Sequence, residues 1–196
     1  MTREILFALV GFAFATSVTP GPNNMMLLAS GVNFGFRRTV PHMLGVSLGH
    51  GLMVFLVGVG LAQIFTHWPG LDLALKVVSV AYMLWLAWKI AHAAPPREGD
   101  AGGRPFTFLQ AAAFQWVNPK AWAMALTAVT VYAGGDGWGA MGVVAAVFCA
   151  TNLPSVSVWA YAGQALRQWL TTNRRLQVFN WTMALLLVLS LWPVLA

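Results

Sequence analysis

The chain has 196 residues, 59% of them hydrophobic and only 8% charged, against roughly 45–50% and about 25% in soluble domains. So few charged side chains cannot cover a soluble core, and so apolar a chain does not stay disordered, which leaves an integral membrane protein. The net charge of +6 is spread as eleven Lys and Arg in ones and twos; with no basic stripe it excludes a nucleic-acid binder and reads as a signal of membrane topology.

The first apolar run, Ile5–Val18, has the length of a signal-peptide core, and Ala13-Phe14-Ala15 mimics a cleavage site. The balanced charge of Met1-Thr2-Arg3-Glu4 and the spans that follow favour a retained first helix. Apolar runs of about 20 residues, the length that crosses a bilayer, recur at 4–33, 41–65, 71–93, 107–133, 138–166 and 175–195. They predict an all-α membrane protein with six transmembrane helices. The one substantial connection, Ala94–Pro105, is rich in Pro, Gly and charge and is expected to be exposed. Trp68, Trp88, Trp138, Trp169 and Trp192 fall near predicted ends, where amphipathic rings sit at the membrane interface.

Two spans are interrupted. Thr19-Pro20-Gly21-Pro22-Asn23-Asn24 breaks the first, because two prolines within three residues remove two backbone donors and force their predecessors out of helical geometry. Asn118-Pro119-Lys120 breaks the fourth. Pro20 and Pro119 lie 99 residues apart, each after a valine and a polar residue, and Leu75-x-Val77 recurs 101 residues later as Leu176-x-Val178. The chain thus divides into a three-helix repeat at 1–93, a cytoplasmic loop at 94–106 and a second three-helix repeat at 107–196. Three is odd, so the second half enters from the opposite face as an inverted repeat. Paired broken helices in such repeats point to a binding site near the midplane; a plain kink is the alternative reading of either break.

The connections after spans one, three and five carry Arg37, Arg38, Lys89, Arg97, Arg104, Arg167, Arg174 and Arg175, against Arg3 and Lys76 on the other side. This asymmetry predicts cytoplasmic odd-numbered loops and both termini outside. A re-entrant turn at 19–24 would instead bring the N-terminus inside.

Lys120 carries the most information. A cation near mid-span costs roughly 2.5–3.5 kcal/mol even on lenient insertion scales, and Asp72 and Asp136 fall at predicted span ends. Its partners are then carbonyls freed by the breaks or an anionic ligand, unless it snorkels from a shorter helix. Asn118 and Pro119 read as the cap and first residue of a half-helix, and Asn23 or Asn24 as the cap of another. Two such N-termini offer free N–H groups and positive dipole ends to a carboxylate, while the amides, with Gln115 and Asn152, serve a second polar group. A small zwitterion such as an amino acid fits this description. The candidate substrate-binding set is Thr19, Pro20, Gly21, Pro22, Asn23, Asn24, Gln115, Asn118, Pro119, Lys120 and Asn152.

Asn152-Leu153-Pro154 is a third expected break, either cavity-lining or a simple kink. His50 is taken as the one histidine well inside a span, since His42, His67 and His92 lie near ends. It is a proton-coupling candidate or a hydrogen-bonded packing residue. Gly31-x-x-x-Gly35 and Gly45-x-x-x-Gly49 permit close helix approach, which allows a homodimer without requiring one. Cys149 is alone in an apolar run, so no disulfide or metal cluster is expected, and the dispersed Met and Phe need no cofactor.

Thr19–Asn24 and Gln115–Lys120 together make the sequence similar, over essentially the whole chain, to the LysE/RhtB superfamily of bacterial amino-acid exporters. Tyr82–Ile90 and the Asn152-Leu153-Pro154 region with Trp159 resemble its cysteine/O-acetylserine exporter branch in particular. The resemblance implies export of small neutral amino acids or related metabolites across the bacterial inner membrane, by proton antiport and without an enzymatic step. The acidic residue common in the fifth span of the superfamily is missing, because Ala150–Ser157 contains none. Two rival readings differ in class. A passive channel for small polar solutes needs the same polar path. An intramembrane hydrolase would use Ser47 and His50, three apart on one helix face, but needs a strained nucleophile loop that this continuous run lacks.

Overall fold

The computed structural model describes residues 1–61, 63, 67–68, 70–93, 104–133 and 137–192. The expected loop at 94–103 with Arg97, and Asp136, lie outside the described residues, as does the side chain of Asp72.

The described residues are all-helical. Helix α1 (Arg3–Val18) starts at Thr2, whose hydroxyl accepts from the Ile5 N–H. It ends where Pro20 follows Thr19, and α2 (Pro22–Phe34) restarts with Pro22 in its first position, where no N–H is missed. The two axes meet at 54°, so the break deflects the chain without reversing it. Gly35, with φ of 77°, makes the turn into α3 (Phe36–Leu56). That conformation disfavours a Cβ, so Gly35 serves the turn and only Gly31 serves helix packing. Helix α3 widens into a π-type turn at Val57–Leu61, and α4 follows at Gly70–Ala91.

The fourth expected span is two helices. Thr107 and Gln110 cap α5 (Phe108–Phe114) reciprocally, and a single 3-10 turn at Gln115–Val117 leads to the extended residue Asn118 and to α6 (Pro119–Tyr132). Helix α7 (Trp138–Arg167) is continuous through Pro154, so the third expected break is not a break. A lone proline removes one backbone bond, and the α7 hydroxyls of Thr151, Ser155 and Ser157 bond back to carbonyls four residues earlier, a local arrangement that spanning helices tolerate. Helix α8 covers Asn173–Leu189.

By length and apolarity, Phe36–Leu61, Leu73–Ala91 and Trp138–Arg167 each suffice to cross a membrane, and the bent α1–α2 pair makes a fourth if counted as one span. Helices α5, α6 and α8, at 7, 14 and 17 residues, are each shorter than a span. Trp68, Trp138, Trp169 and Trp192 are exposed, as are Phe7, Leu109 and Val131 along helix sides, as expected of a surface that meets lipid.

Helix α7 is the hub, packed against α1, α2 and α3; α5 lies on α3, and α4 on α8. Glycine permits the closest contacts. A Cβ on Gly31 would strike the carbonyl of Ala160, and one on Gly163 the carbonyl of Leu28, so α2 and α7 touch through backbone. Gly45 does the same for α3 against the Phe108 carbonyl of α5. One apolar cluster, including Leu9, Met53, Ala125 and Phe148, joins α1, α3, α6 and α7. A second, with Met26, Met83, Phe114 and Leu187, joins α2, α4, α5 and α8.

Candidate functional site

Both helix breaks open onto one polar pocket. Gly21, Asn23 and Asn24 at the start of α2, and Asn118 and Lys120 at the start of α6, line it together. Ser17 of α1, His50 of α3 and Asn152 of α7 close it. Its free volume is about 20 Å³, room for a single water molecule.

Lys120 bridges the two breaks. Its Nζ donates to the Thr19 carbonyl at 2.8 Å, to Thr19 Oγ1 at 3.0 Å and to the Pro20 carbonyl at 3.4 Å. The two carbonyls and the hydroxyl lie just past the last turn of α1, where the chain leaves helical geometry, at the negative end of the α1 dipole. Gly21 leaves room for this side chain, since a Cβ there would lie 2.8 Å from Lys120 Cδ.

The two half-helix N-termini differ. Asn118 caps α6 as expected, its Oδ1 accepting from the Lys120 N–H at 3.1 Å. Helix α2 has Gly21 at its cap and no side-chain cap bond, so neither Asn23 nor Asn24 caps it, contrary to expectation. Both lie within its first turn, where their side chains cannot reach back to their own N–H groups. Asn24 Nδ2 instead ties down α1, donating to the Ser17 and Thr19 carbonyls at 2.9 and 2.7 Å. Asn23 pairs reciprocally with Gln115, donating to its Oε1 at 2.9 Å and accepting from its Nε2 at 3.2 Å. Gln115 is fully buried and touches the pocket only through this pair. Pro22 and Pro119 start their helices and do not line the pocket.

Four buried polar atoms around the pocket have no hydrogen-bond partner: Ser17 Oγ, both ring nitrogens of His50, and Asn152 Oδ1. Leaving such atoms unsatisfied costs about 1–3 kcal/mol each, so the pocket wall offers hydrogen-bonding capacity that the protein itself does not use. His50 packs edge-on against Phe148, with ring centroids 5.1 Å apart. Ser47 donates to the Cys149 carbonyl at 3.0 Å, not to His50, so the nucleophile–base contact of a hydrolase is not made. Among the described residues no group of three or more His, Cys, Asp or Glu could hold a metal.

Sequence reading overlooked Thr16 and Ser17 on the pocket wall, and the burial of His42. Ser17 borders the pocket one turn before the break, and its signal was a hydroxyl facing the same side as Asn24. His42 is only 2% exposed, not terminal, because α3 begins at Phe36 rather than near 41 and Phe106 covers the ring at 5.3 Å.

The fold and site define a helical membrane protein in which two broken helices face a common polar pocket. The chain matches the LysE type translocator family over residues 14–190 and belongs to it. Among its relatives are the cysteine/O-acetylserine efflux proteins of Escherichia coli (strain K12) and Salmonella typhimurium (strain LT2). Each is 35% identical over 133 residues, covering 67% of this chain and 67% of the relative. No solved structure matches the chain.

Proposed function

We propose that the protein is a secondary exporter of small neutral amino acids or related metabolites, cysteine- or O-acetylserine-like, in the bacterial inner membrane. The carrying observation is the pocket itself, where both helix breaks, one cation and four unpartnered polar atoms converge. The substrate carboxylate would dock on the uncapped N-terminus of α2 at Gly21–Asn24 and on Lys120, which can turn from the Thr19 carbonyl to a stronger acceptor. Asn118 and Asn152 would take the ammonium and side-chain end. The names of the relatives favour this substrate class.

The chain would work by alternating access between two inverted three-helix repeats. Reciprocal contacts support this: α1 lies on α7 as α5 lies on α3, and Ser47 and Cys149, 102 residues apart, each donate to the other's carbonyl. Closure of the pocket to the size of a water molecule favours a carrier over an open channel. His50 is the proposed proton carrier, being the one titratable group besides Lys120 on the pocket wall.

The test loads cells with dipeptides that release single amino acids and follows efflux with and without the protein. Lys120→Ala should abolish export while inserting normally; unchanged efflux from that variant would sink the site. In His50→Gln, any residual export should no longer respond to an uncoupler. If an uncoupler inhibits that variant as strongly as the parent, His50 is not the carrier.

A further inference from the structure

A second cavity, of about 700 Å³, lies between α2, α3, α4 and the segment leading into α5. It shares α2 and α3 with the polar pocket but no residue. Helix α2 gives Asn23 and Asn24 to the pocket, and Met26, Ser30 and Asn33 to the cavity; α3 gives His50 to one and His42 to the other. The approach to α6 is divided in the same way, with Thr107 and Gln110 on the cavity and Asn118 on the pocket. Gln115 falls at that boundary, between Gln110 and Asn118, and its two hydrogen bonds to Asn23 on the pocket wall make a partition between the two spaces.

The wall of this cavity carries Lys89 and Arg104 and, among the described residues, no carboxylate. Both cations are exposed. Lys89 rests over the Trp85 ring, 4.6 Å from its centroid, which orients the ammonium without neutralising it. Deeper in, Asn33 Oδ1 is buried with no hydrogen-bond partner, as are both ring nitrogens of His42. Cations at the mouth suit a carboxylate, the inner acceptors suit an ammonium, and Met26, Ile90 and Phe106 bound a small apolar remainder.

We infer that this cavity is a second binding site for a small zwitterionic amino acid, a vestibule that takes the substrate by its carboxylate on Arg104 and Lys89 before the Asn23–Gln115 partition opens. The inference rests on the exporter reading and names where the substrate enters. All of the described basic residues on its wall belong to the side that the Lys and Arg distribution predicts to be cytoplasmic, the side from which an exporter loads.

The experiment uses the full-length protein in proteoliposomes, with Cys149→Ala removing the native thiol and Ile90→Cys placing a single thiol in the cavity wall. An anionic sulfonate thiol reagent and a cationic trimethylammonium reagent of similar size are compared. Replacing Arg104 and Lys89 with Gln should lower the ratio of anionic to cationic labelling rates about fivefold or more. L-Serine or O-acetyl-L-serine should slow labelling of the Arg104/Lys89 parent and not of the double variant. An unchanged ratio, or labelling that neither amino acid slows, overturns the inference. The cellular efflux assay separates the two levels: if the exporter reading fails, the parent exports nothing, whereas if only the vestibule fails, the parent exports and the labelling is indifferent to charge and ligand.

Discussion

A lysine ammonium inside a bilayer needs acceptors, and Lys120 takes three oxygens from the other half of the chain. The need for oxygens near the breaks was legible from the sequence; that Thr19 and Pro20 supply them was not, because it depends on how the two breaks meet in space. The Asn23–Gln115 pair is similar. Each amide was a visible candidate for the site, but that the two also pair with each other, as a cross-link between halves, was not legible. Asn23→Ala should therefore destabilise the detergent-solubilised protein by about 1–3 kcal/mol, the cost of leaving Gln115 Oε1 buried and unpaired. The double variant Asn23→Ala/Gln115→Ala should lose less than the sum of the single changes, read as thermal-unfolding midpoints; strict additivity would mean that the pair is not coupled.

At the scale of elements, breaks and packing follow different rules. Two prolines in three residues end α1, and the extended Asn118 before Pro119 starts α6, whereas the single Pro154 leaves α7 whole. The periodicity of an apolar run cannot tell these cases apart, since it records polarity and not the satisfaction of each carbonyl. Glycines sort in the same way. Gly163 meets the Leu28 carbonyl, while Gly142, on the same helix, meets nothing within 4 Å. Gly163→Val should therefore cost more than the ~1–3 kcal/mol of ordinary overpacking, because backbone cannot step aside. Gly142→Val should be tolerated. Fluorescence-detected size-exclusion yields of the two variants check this, and equal yields would contradict the α2–α7 contact.

For the whole molecule, α7 and α3 form the contact across which the proposed repeats must move. Ser47 and Cys149 touch there from opposite halves. Ser47→Cys should form a disulfide with Cys149 under oxidant, stop efflux, and recover on reduction. Efflux that continues with the bond formed would show that this contact stays fixed during transport.

Composition alone determined that the chain lives in a membrane, because 8% charged residues cannot cover a soluble core. Local chemistry marked the two breaks at Pro20–Pro22 and at Pro119 but could not by itself set them apart from Pro154, which lacks an N–H equally and stays inside α7. The paired breaks pointed to a common site; only the tertiary structure decided that Lys120 spans the two breaks, that α2 is the uncapped N-terminus, and that His42 and Ser17 belong to buried polar surfaces. Those outcomes depend on contacts between residues about a hundred positions apart, and such contacts are set by helix packing rather than by any neighbour in the chain.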